Sequence, residues 1–574
     1  MYAQVVVLTY QSPEIDSYTY EVPKELEKEI KVGQLVEVPF GKRNPAGIVL
    51  STSTEILNSK FEIRNVKKIS KVILPNPILL PYQLDLLKWM KDYYLAPMVN
   101  CLNAILPELP RKLFMVHSSW KKENKTTNYK LSTINQSLIL VPSLNKIAET
   151  LAKFPKAKNY VVYHNELKTS EKFAAWIKIQ NGEVDYIFGS RSAIFAPCPA
   201  LREIIIYDEH DSAYKDDRSP YFDTLTVAQK IAGLTGAQVK IVDPSPKITT
   251  YFQLPTNIKI QNFPQKVEII NMQNEKNSQN RSAISFDLEE AIGETLEEKG
   301  NILLFLNKVK ESGHFFCKSC KTSGHQEVQP QTCPNCQSPD IFWNVLNVNS
   351  LTLETKKLFP KINVSPITKD NRRSTIDYRQ SVDIGTAFSL YSPLLKKYDL
   401  VAHIQTDSVL NIADYTSAEK LFAQITSLKK LLKVDGKLFL QTYNRDNPTI
   451  GAIEKGDYKH FFNEEIKQRK LISFPPYSIL AKLTIKGKNR DKIQKEAEQL
   501  ATDLKSKIQD LKSSILGPYQ SVFWQKTPSY HIILKYKLDS FNLDQRQKAV
   551  EKIKNILGTL PGNWQVEVEP DSIQ

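Results

Sequence analysis

Four cysteines form the clearest chemical pattern in this 574-residue sequence. The segments CKSC at 317–320 and CPNC at 333–336 give the spacing C-x2-C-x12-C-x2-C. Two short turns of this kind allow four thiolates to surround one ion tetrahedrally, and a closed four-thiolate site has no open position for catalysis. The pattern therefore predicts one structural zinc, with a redox pair and an iron–sulfur centre as the alternatives. The predicted ligands are Cys317, Cys320, Cys333 and Cys336.

The composition of the whole chain limits the classes of function. Six cysteines in so long a chain argue against a disulfide scaffold, and the two isolated ones, Cys101 and Cys198, are expected to be small buried hydrophobes. Lysine and arginine outnumber aspartate and glutamate by 77 to 62, so the net charge is +15. Such a surface attracts polyanions and favours nucleic acid as a partner, although a lysine-rich genome would explain the charge equally well.

The sequence offers no sign of membrane insertion or secretion. No apolar run approaches the roughly 18 residues that a membrane span needs. The opening MYAQVVVLTYQSPEIDSYTY lacks the basic, apolar and small-residue regions of a signal peptide. We therefore expect a cytoplasmic protein that does not cross a membrane.

The N-terminal part of the chain changes its apolar pattern twice. Short apolar runs separated by Pro, Gly and Asn predict a small β-rich domain over 1–75. Apolar residues at helical spacing, ended by prolines, predict a helical module over 76–115. The next stretch is polar, basic and weakly periodic, which predicts a linker over 116–136.

The remaining chain has the pattern of an α/β protein. Apolar runs of strand length alternate with helical segments over 137–260 and again over 290–474, which predicts two lobes with mostly parallel sheets. The cysteine segment interrupts the second lobe at 315–340, and the pattern over 475–574 predicts a C-terminal α+β domain. The expected fold class is multidomain α/β, and two such lobes in tandem suggest the scaffold of a nucleic-acid motor.

Five separated segments, in order along nearly the whole chain, resemble one known family. They are GQLVEVPFGKRNPAGIVL at 33–50, KWMKDYYLAPMVNCLNAILP at 88–107, YIFGSRSAIFAPCPALREIIIYDEHDSAYK at 186–215, NILLFLNKVKESGHFFCKSC at 301–320 and EEIKQRKLISFPPYSILAKL at 464–483. The chain resembles the PriA family of replication-restart helicases (primosomal protein N′). The resemblance implies a β-rich domain that binds 3′ DNA ends, a winged-helix-like module, and two RecA-like lobes with a zinc insertion.

The resemblance also bears on the cysteines. Members of the family have eight cysteines in four pairs that bind two zinc ions, and the first and last pairs share one ion. The two pairs of this chain resemble those outer pairs. The resemblance therefore implies one zinc where the family has two.

The family captures the 3′ end of a nascent DNA strand with an aromatic residue, an Asp, a Gly and a Lys. By resemblance these positions are Tyr18, Thr19, Gly41 and Lys67. Gly41 would permit close backbone approach, Tyr18 would stack on a terminal base, and Lys42, Arg43 and Lys67 would meet phosphates. Thr19 departs from the family's Asp, and Tyr18 taken without the family is an ordinary strand aromatic.

A helicase of this type holds nucleotide phosphates with G-x-x-x-x-G-K-[S/T]. Gly-Lys occurs in this sequence only at 41–42, 436–437 and 487–488, followed by Arg43, Leu438 and Asn489, so the motif is absent. The place where the family has it, just before the strand SLILVPSLNK, is occupied by the polar linker. We therefore do not expect ATP or magnesium as cofactors.

Other motor motifs of the family are altered as well. The family's Asp-Glu-Glu-His corresponds to Tyr207, Asp208, Glu209 and His210, although a shift by one residue would keep Asp-Glu-His. The family's Gly-Ser-Ala-Thr-Pro corresponds to 242–246, and a GTQMLAKGHDF-like motif survives only as Gly385-Thr386. The two arginines that stabilise charge on the γ-phosphate correspond to Leu431 and Val434.

Three hypotheses of function follow. The favoured one is a PriA-like protein that binds branched or 3′-ended DNA in replication restart without hydrolysing ATP or unwinding. The alternatives are an ATP-dependent 3′–5′ helicase with an atypical nucleotide site, and a scaffold for replication proteins that does not bind DNA. Forked or 3′-ended DNA is the expected partner of a monomeric chain, with primosome or single-strand-binding proteins as further candidates.

Overall fold

The computed structural model describes most of the chain, with gaps in its loops. The described residues are 1–9, 15–55, 66–111, 113, 135–260, 263, 265–307, 313–326, 329–344, 346–367, 381–391, 396–508, 512–521, 527–558 and 560–574. Most of the linker expected over 116–136 lies outside this range, and its last residue, Gln136, already belongs to a strand. In the described part of the chain, no helix combines the length and the apolar character needed to span a bilayer.

The N-terminal segment forms a five-stranded antiparallel sheet in the order β2-β1-β4-β3-β5. Both faces of the first strand are covered, because Val5, Val6 and Val7 are all fully buried. Val5 and Val7 pack in one apolar cluster and Val6 in another, as expected when successive side chains point to opposite faces. The strands are β1 (Tyr2–Val7), β2 (Tyr18–Glu21), β3 (Leu35–Glu37), β4 (Ala46–Ser53) and β5 (Lys71–Val72).

Two helices follow this sheet, Pro81–Tyr93 and Met98–Ile105. Pro81 at the first helical position suits the helix N-terminus, because proline has a fixed φ and no N–H that would need a partner there. Gln83 accepts a hydrogen bond from the Leu80 amide and donates to the Phe195 carbonyl, so the first helix is fixed against the lobe that follows. These two helices lie within the expected module over 76–115.

The first lobe is a six-stranded parallel sheet in the order β11-β10-β9-β6-β8-β7. Its strands are β6 (Gln136–Leu140), β7 (Tyr160–Tyr163), β8 (Tyr186–Gly189), β9 (Leu201–Tyr207), β10 (Gln238–Val242) and β11 (Ile258–Lys259). Asp223 caps the helix Thr224–Thr235 by accepting from the Thr226 amide, and Gly236 ends this helix with φ +79°. The α-helices are Lys146–Ala152, Thr169–Gln180, Thr224–Thr235 and Ile248–Gln253.

The second lobe is another six-stranded parallel sheet, in the order β12-β20-β19-β13-β18-β17. It starts upstream of the expected boundary at residue 290, because the strand at Val267–Asn271 pairs with the last strand of the lobe. The strands are β12 (Val267–Asn271), β13 (Ile302–Phe305), β17 (Asn363–Pro366), β18 (Ser381–Gly385), β19 (Tyr398–His403) and β20 (Leu432–Thr442). Its α-helices are Met272–Asn277, Phe286–Glu297, Val348–Leu358, Asp407–Leu410, Ser417–Lys429, Pro448–Lys455 and Tyr458–Leu471.

Two antiparallel sheets complete the fold. The cysteine segment forms a three-stranded sheet in the order β15-β14-β16, and the C-terminal segment forms a four-stranded sheet in the order β22-β23-β21-β24. The first contains β14 (Gly313–Cys317), β15 (Ser323–Gln326) and β16 (Ile341–Asn344). The second contains β21 (Ser478–Lys486), β22 (Ser513–Gln520), β23 (Ser529–Lys537) and β24 (Trp564–Val568), with the helices Arg490–Lys507 and Leu543–Leu557.

The chain divides into two compact units, 1–260 with 469–574, and 261–468. In the first unit one continuous apolar core joins the N-terminal sheet, the two helices after it, the first lobe and the C-terminal sheet. In the second unit the core lies on the parallel sheet of the second lobe. The parallel sheets agree with the expected α/β class.

Candidate functional site

The four cysteines of the predicted metal site converge. Their sulfur atoms all lie within 4.8 Å of one another, and the Cys317–Cys336 and Cys320–Cys333 pairs are 3.6 Å apart. A disulfide would place two sulfurs about 2.05 Å apart, whereas a tetrahedral metal with bonds of roughly 2.3 Å separates its sulfurs by about 3.8 Å. The spacing between the sulfur atoms therefore fits four thiolates around one ion.

The two cysteine turns are near copies of each other. Cys317 donates from its amide to the Thr322 carbonyl, and Cys333 donates in the same way to the Ser338 carbonyl, both at 2.8 Å. In each turn the residue four positions after the first cysteine has a left-handed backbone, with φ +63° at Lys321 and +58° at Gln337. The first sulfur of each turn accepts from a backbone amide. The Cys320 amide donates to the Cys317 sulfur at 3.5 Å, and the Asn335 amide donates to the Cys333 sulfur at 3.4 Å.

Hydrogen bonds favour the thiolate form in two of the four cysteines, Cys317 and Cys320, whereas the pKa of Cys336 is raised to about 12, with its neighbouring cysteines Cys320, Cys317 and Cys333 raising it. The Cys320 backbone, which donates to the Cys317 sulfur, lowers the pKa of the Cys317 thiol. Hydrogen bonding with the side chain and backbone of Thr322 lowers the pKa of Cys320 to about 5. Cys317 and Cys333 are fully buried, whereas Cys336 is exposed. The arrangement can hold a soft ion in a closed site at the base of β14.

The residues matched to DNA-end capture lie around the turn Phe40–Arg43. Phe40 and Arg43 exchange backbone hydrogen bonds of 2.8 and 3.1 Å, which closes the turn. Gly41 has φ +59°, and a side chain there would meet nothing within 4 Å, so the backbone conformation explains the glycine. Gly41, Lys42 and Arg43 are exposed at the surface.

Tyr18 joins this turn, and Thr19 does not. The Tyr18 ring contacts the Phe40 ring edge to face at 5.1 Å, and burial raises the pKa of the Tyr18 hydroxyl. Successive residues of a strand point to opposite faces, so Thr19 lies on the other face of β2. There its hydroxyl accepts from the Gln4 side chain at 2.8 Å.

Lys67 lies at the opposite end of β2 from Tyr18. Its carbonyl accepts from the Glu21 amide at 2.9 Å, and Glu21 is three residues from Tyr18, roughly 10 Å along the strand. The Lys67 side chain is exposed, while its neighbour Lys68 forms an ion pair of 3.2 Å with Glu21. Any ligand that meets both the turn and Lys67 must therefore span the length of β2.

The segment matched by resemblance to the family's acidic motor motif directly follows β9. Tyr207 is the last strand residue and pairs with Val242 of β10. Asp208 has φ +51°, a rare conformation for a residue other than glycine, and its carboxylate accepts from Lys146 Nζ at 2.6 Å. Asp208 is thus already paired with an ammonium group of its own chain.

Glu209 is buried beneath this turn, with 2% of its surface exposed. Its carboxylate accepts from the Lys247 amide at 3.1 Å and the Thr250 hydroxyl at 3.0 Å. Burial raises the pKa of Glu209 to about 7, against the opposing charge of Lys247. The carboxylate therefore points into the protein instead of into a solvent-accessible cleft.

His210 binds the remnant of the third motif. The Asp243 carboxylate accepts from the His210 amide at 2.8 Å and lies 2.8 Å from His210 Nδ1. The same carboxylate accepts from the Ser245 amide at 2.7 Å, and Asp243 is fully buried. The two motif remnants are therefore held together by one buried carboxylate.

The remaining matched positions of the second lobe carry no cationic side chain. Leu431 lies between the helix Ser417–Lys429 and β20, and its carbonyl accepts from the Tyr398 amide. Val434 lies in β20 with 82% of its surface exposed. Gly385 ends β18, and Thr386 is buried after it.

Several residues of these sites were not foreseen from the sequence. Phe40 contacts Tyr18 and stands two residues before Lys42. The sequence signal that could have indicated its role is an aromatic residue directly followed by a glycine and two cations. Lys146 and Lys247, which neutralise the acidic segment, stand 62 and 38 residues from their partners. Sequence spacing alone gives no signal for such pairs.

Known proteins resemble this chain both in its N-terminal part and along most of its length. The family model described as the PriA 3'DNA-binding domain (3'BD) matches residues 5–107, a range that includes Tyr18, the Phe40–Arg43 turn and both helices after the sheet. Replication restart protein PriA of Synechocystis sp. is 26% identical over 494 residues, covering 76% of this chain and 59% of the relative. Replication restart protein PriA of Treponema pallidum is 24% identical over 632 residues, covering 94% and 95%. The chain belongs to the PriA family.

This PriA-family chain spans 59% of the length of the Synechocystis relative, so the match leaves part of that protein unaligned. Among solved structures, the DUF1998 helicase MrfA bound to DNA aligns with a TM-score of 0.33 and 10% identity, covering 67% of this chain and 48% of that chain. A score of this size adds nothing to the fold assignment of the PriA-family chain.

Proposed function

We propose that this chain is a PriA-type protein that binds branched or 3′-ended DNA in replication restart, without hydrolysing ATP or unwinding the duplex. The observation that supports it most is the match of residues 5–107 to the PriA 3'DNA-binding domain. Within that range the Phe40–Arg43 turn presents two cations at the surface, next to a tyrosine ring. The net charge of +15 favours the approach of a polyanion.

The turn suits contact with the end of a DNA strand. Lys42 and Arg43 would meet backbone phosphates, and the exposed part of the Tyr18 ring would stack on a base. Lys67 would meet a phosphate further along the strand, since it lies at the other end of β2. Thr19 has no part in this proposal, because its hydroxyl is bound to Gln4 on the opposite face.

The absence of hydrolysis is supported by two observations. The sequence lacks the glycine-rich loop with its lysine, whose amides hold nucleotide phosphates. The acidic residues that would serve magnesium and water are tied to their own chain, Asp208 by Lys146 and Glu209 by Lys247 and Thr250. Both the phosphate cradle and the metal ligands of a motor would have to be replaced for this chain to hydrolyse ATP.

The cysteine cluster would bind one zinc ion in a structural role. Its four thiolates would fill the coordination sphere, so the ion would hold β14, β15 and β16 together and would not activate water. We assign the two parallel sheets to RecA-like lobes that now serve as a scaffold. We place the protein in the cytoplasm as a monomer, with primosome or single-strand-binding proteins as further partners.

The proposal is tested by equilibrium binding of forked DNA with and without a free 3′ end, at two salt concentrations. We expect tighter binding to the fork with the free end. Replacing Lys42 and Arg43 by Ala should weaken binding about tenfold and reduce the salt slope by roughly two, since each phosphate contact releases about one counterion. Adding ATP and magnesium should leave the affinity unchanged.

The matched control replaces Lys24 and Lys28, two exposed lysines of the same domain, by Ala. This control removes the same charge away from the turn and should retain nearly all of the affinity. Equal losses in the two variants would mean that only the overall charge attracts DNA. Affinity that is independent of salt and unchanged in both variants would favour a scaffold that does not bind DNA through these residues.

A further inference from the structure

The two cysteine turns have similar backbones, but their second cysteines differ in exposure. Cys320 of the first turn is half-buried, whereas Cys336 of the second turn is exposed. The first cysteine of each turn, Cys317 or Cys333, is fully buried. Cys336 also stands in an exposed stretch, since every residue of 334–337 is exposed. Cys336 is therefore the most accessible of the four predicted zinc ligands.

Two side chains lie beside the Cys320 sulfur. This sulfur is 3.2 Å from the Thr322 hydroxyl and 3.8 Å from the side-chain nitrogen of Asn335. Asn335 also donates to the Thr322 hydroxyl at 3.0 Å, so the two side chains hold each other in place next to the sulfur. They cover one side of Cys320, in agreement with its partial burial.

The second turn uses the equivalent side chain differently. Ser338 has the position that Thr322 has in the first turn, two residues after the second cysteine. The Ser338 hydroxyl lies 2.8 Å from the Ser319 hydroxyl and accepts from the Asp340 amide at 3.1 Å. The Ser338 side chain is thus directed to Ser319 and Asp340, in agreement with the greater exposure of Cys336.

A second sulfur lies close to that of Cys336. The sulfur of Cys317 is 3.6 Å from it, and Cys317 is fully buried. A disulfide needs two sulfurs about 2.05 Å apart, so an approach of roughly 1.5 Å would join this pair. An oxidised Cys336 is therefore placed to react with a thiolate of its own cluster.

We propose that Cys336 is an oxidation site at which hydroperoxides attack the zinc-loaded cluster, and that Cys317 joins it in a disulfide that releases the ion. A zinc-bound cysteine is a thiolate, because the charge of the ion deprotonates it. Among thiolates, susceptibility to oxidation follows exposure, which favours Cys336 over the other three ligands. This inference rests on the proposed zinc role and is independent of DNA binding by the Phe40–Arg43 turn.

With hydrogen peroxide as the oxidant, the reaction has two steps. The Cys336 thiolate attacks one peroxide oxygen, so an S–O bond forms, the O–O bond breaks, and hydroxide leaves and takes up a proton to give water. The Cys317 thiolate then attacks the resulting sulfenic acid, so an S–S bond forms, the S–O bond breaks, and a second hydroxide leaves as water. The two sulfurs together lose two electrons to the peroxide. The two remaining thiolates, Cys320 and Cys333, do not complete a four-ligand site, so zinc leaves as Zn²⁺.

The first test compares the reactivity of the cysteines in the unaltered full chain. Zinc-loaded protein is treated with a limiting amount of N-ethylmaleimide, and the modified peptides are identified by mass spectrometry. We expect Cys336 to be modified before the other three ligands, because access limits the reaction of a thiolate. Cys101 and Cys198, which are buried, serve as internal controls and should remain unmodified. Earlier modification of Cys320 or of a buried ligand would overturn the proposal.

The second test follows zinc release, detected with a chromogenic chelator, while hydrogen peroxide is added. We expect zinc to leave as the Cys317–Cys336 disulfide appears in the peptide map, and to bind again after reduction with a dithiol. A chain without zinc before the oxidant is added would contradict the zinc role as well as this inference. Zinc that is present and stays bound under peroxide, or a disulfide between Cys320 and Cys333 instead, would contradict this inference alone.

Two matched variants isolate the exposed sulfur. Cys336→His keeps a fourth zinc ligand, since sites of three cysteines and one histidine hold zinc, and it removes the oxidisable sulfur. Cys320→His makes the same change at the half-buried position, and peroxide should release its zinc about tenfold faster than that of Cys336→His. Equal rates in the two variants would show that Cys336 is not the point of attack. If either variant binds no zinc, the reactivity map of the unaltered chain decides.

Discussion

The cysteine cluster and the turn after β9 are both places where a PriA-type protein could hold a metal ion, and they differ in how their ligand atoms are engaged. In the cluster, four sulfurs converge to within 4.8 Å of one another. After β9, Asp208 accepts from Lys146, and Glu209 is buried under Lys247 and Thr250. Sulfur ligands arranged for an ion thus contrast with carboxylates already neutralised by neighbours.

This difference separates a fold-supporting metal from a catalytic one. A hard cation such as magnesium needs carboxylate oxygens that are free to coordinate it. The carboxylates of Asp208 and Glu209, which follow β9, each have a partner from their own chain. The cluster needs no further ligand, because four thiolates complete the coordination of a zinc ion by themselves. This contrast supports the proposal that the first lobe serves as a scaffold without hydrolysing ATP.

The largest expected effect is the loss of the metal from the cluster. Cys333→Ser removes one of two buried sulfurs, and we expect metal analysis to fall from about one zinc per chain to a small fraction of that. Because binding energy in a structural site supports folding, the 313–344 sheet should become sensitive to proteolysis.

The matched control for this variant is Cys198→Ser, a buried cysteine outside the cluster. It should keep its zinc even if its stability falls. Full zinc content in Cys333→Ser, or iron in place of zinc in the unaltered chain, would contradict the structural-zinc assignment.

The next effect concerns the carboxylate that joins the two motif remnants. Asp243→Ala leaves His210 and the Ser245 amide without their acceptor, and we expect it to lower the free energy of unfolding by roughly 1 to 3 kcal/mol for each buried donor. Thermal unfolding should show a lower Tm, while binding of forked DNA stays unchanged below the transition. Asp217→Ala, at an exposed position, serves as the control and should unfold like the unaltered chain. An unchanged Tm in Asp243→Ala would show that these contacts contribute little.

A smaller effect is expected from the pH dependence of Glu209. Its pKa is about 7 in the folded chain against an ordinary value of 4.5, so the folded state retains a proton that the unfolded state releases. Its contribution to stability is therefore lost as the pH rises from about 4.5 to 7, by on the order of 3 kcal/mol. Glu209→Gln should remove this loss, so its Tm relative to the unaltered chain should rise over the same interval. A difference that stays constant with pH would contradict the assignment.

Much of the fold could be predicted from local patterns. The runs Leu138–Val141, Tyr160–Tyr163 and Val239–Val242 match strands of the first lobe to within two residues, because buried parallel strands are continuously apolar. The cysteine cluster was predictable from spacing, since each pair lies on one short turn and only the distance between the two turns had to be inferred.

Contacts between distant segments could not be predicted. That Tyr18 meets Phe40 while Thr19 meets Gln4 depends on how β2 pairs with β1, which the sequence of β2 alone does not reveal. The pairing of β12 with β20 joins segments that are far apart in sequence and moved the start of the second lobe upstream of residue 290.

The central claim, that this chain binds DNA without a motor, is tested most directly by measuring ATP hydrolysis in the presence of forked DNA that the same sample binds. We expect phosphate release at the background rate, with and without DNA. DNA-stimulated hydrolysis that is abolished by replacing Asp208 with Ala and Glu209 with Gln would contradict the account, because it would show that these two carboxylates still serve a working nucleotide site.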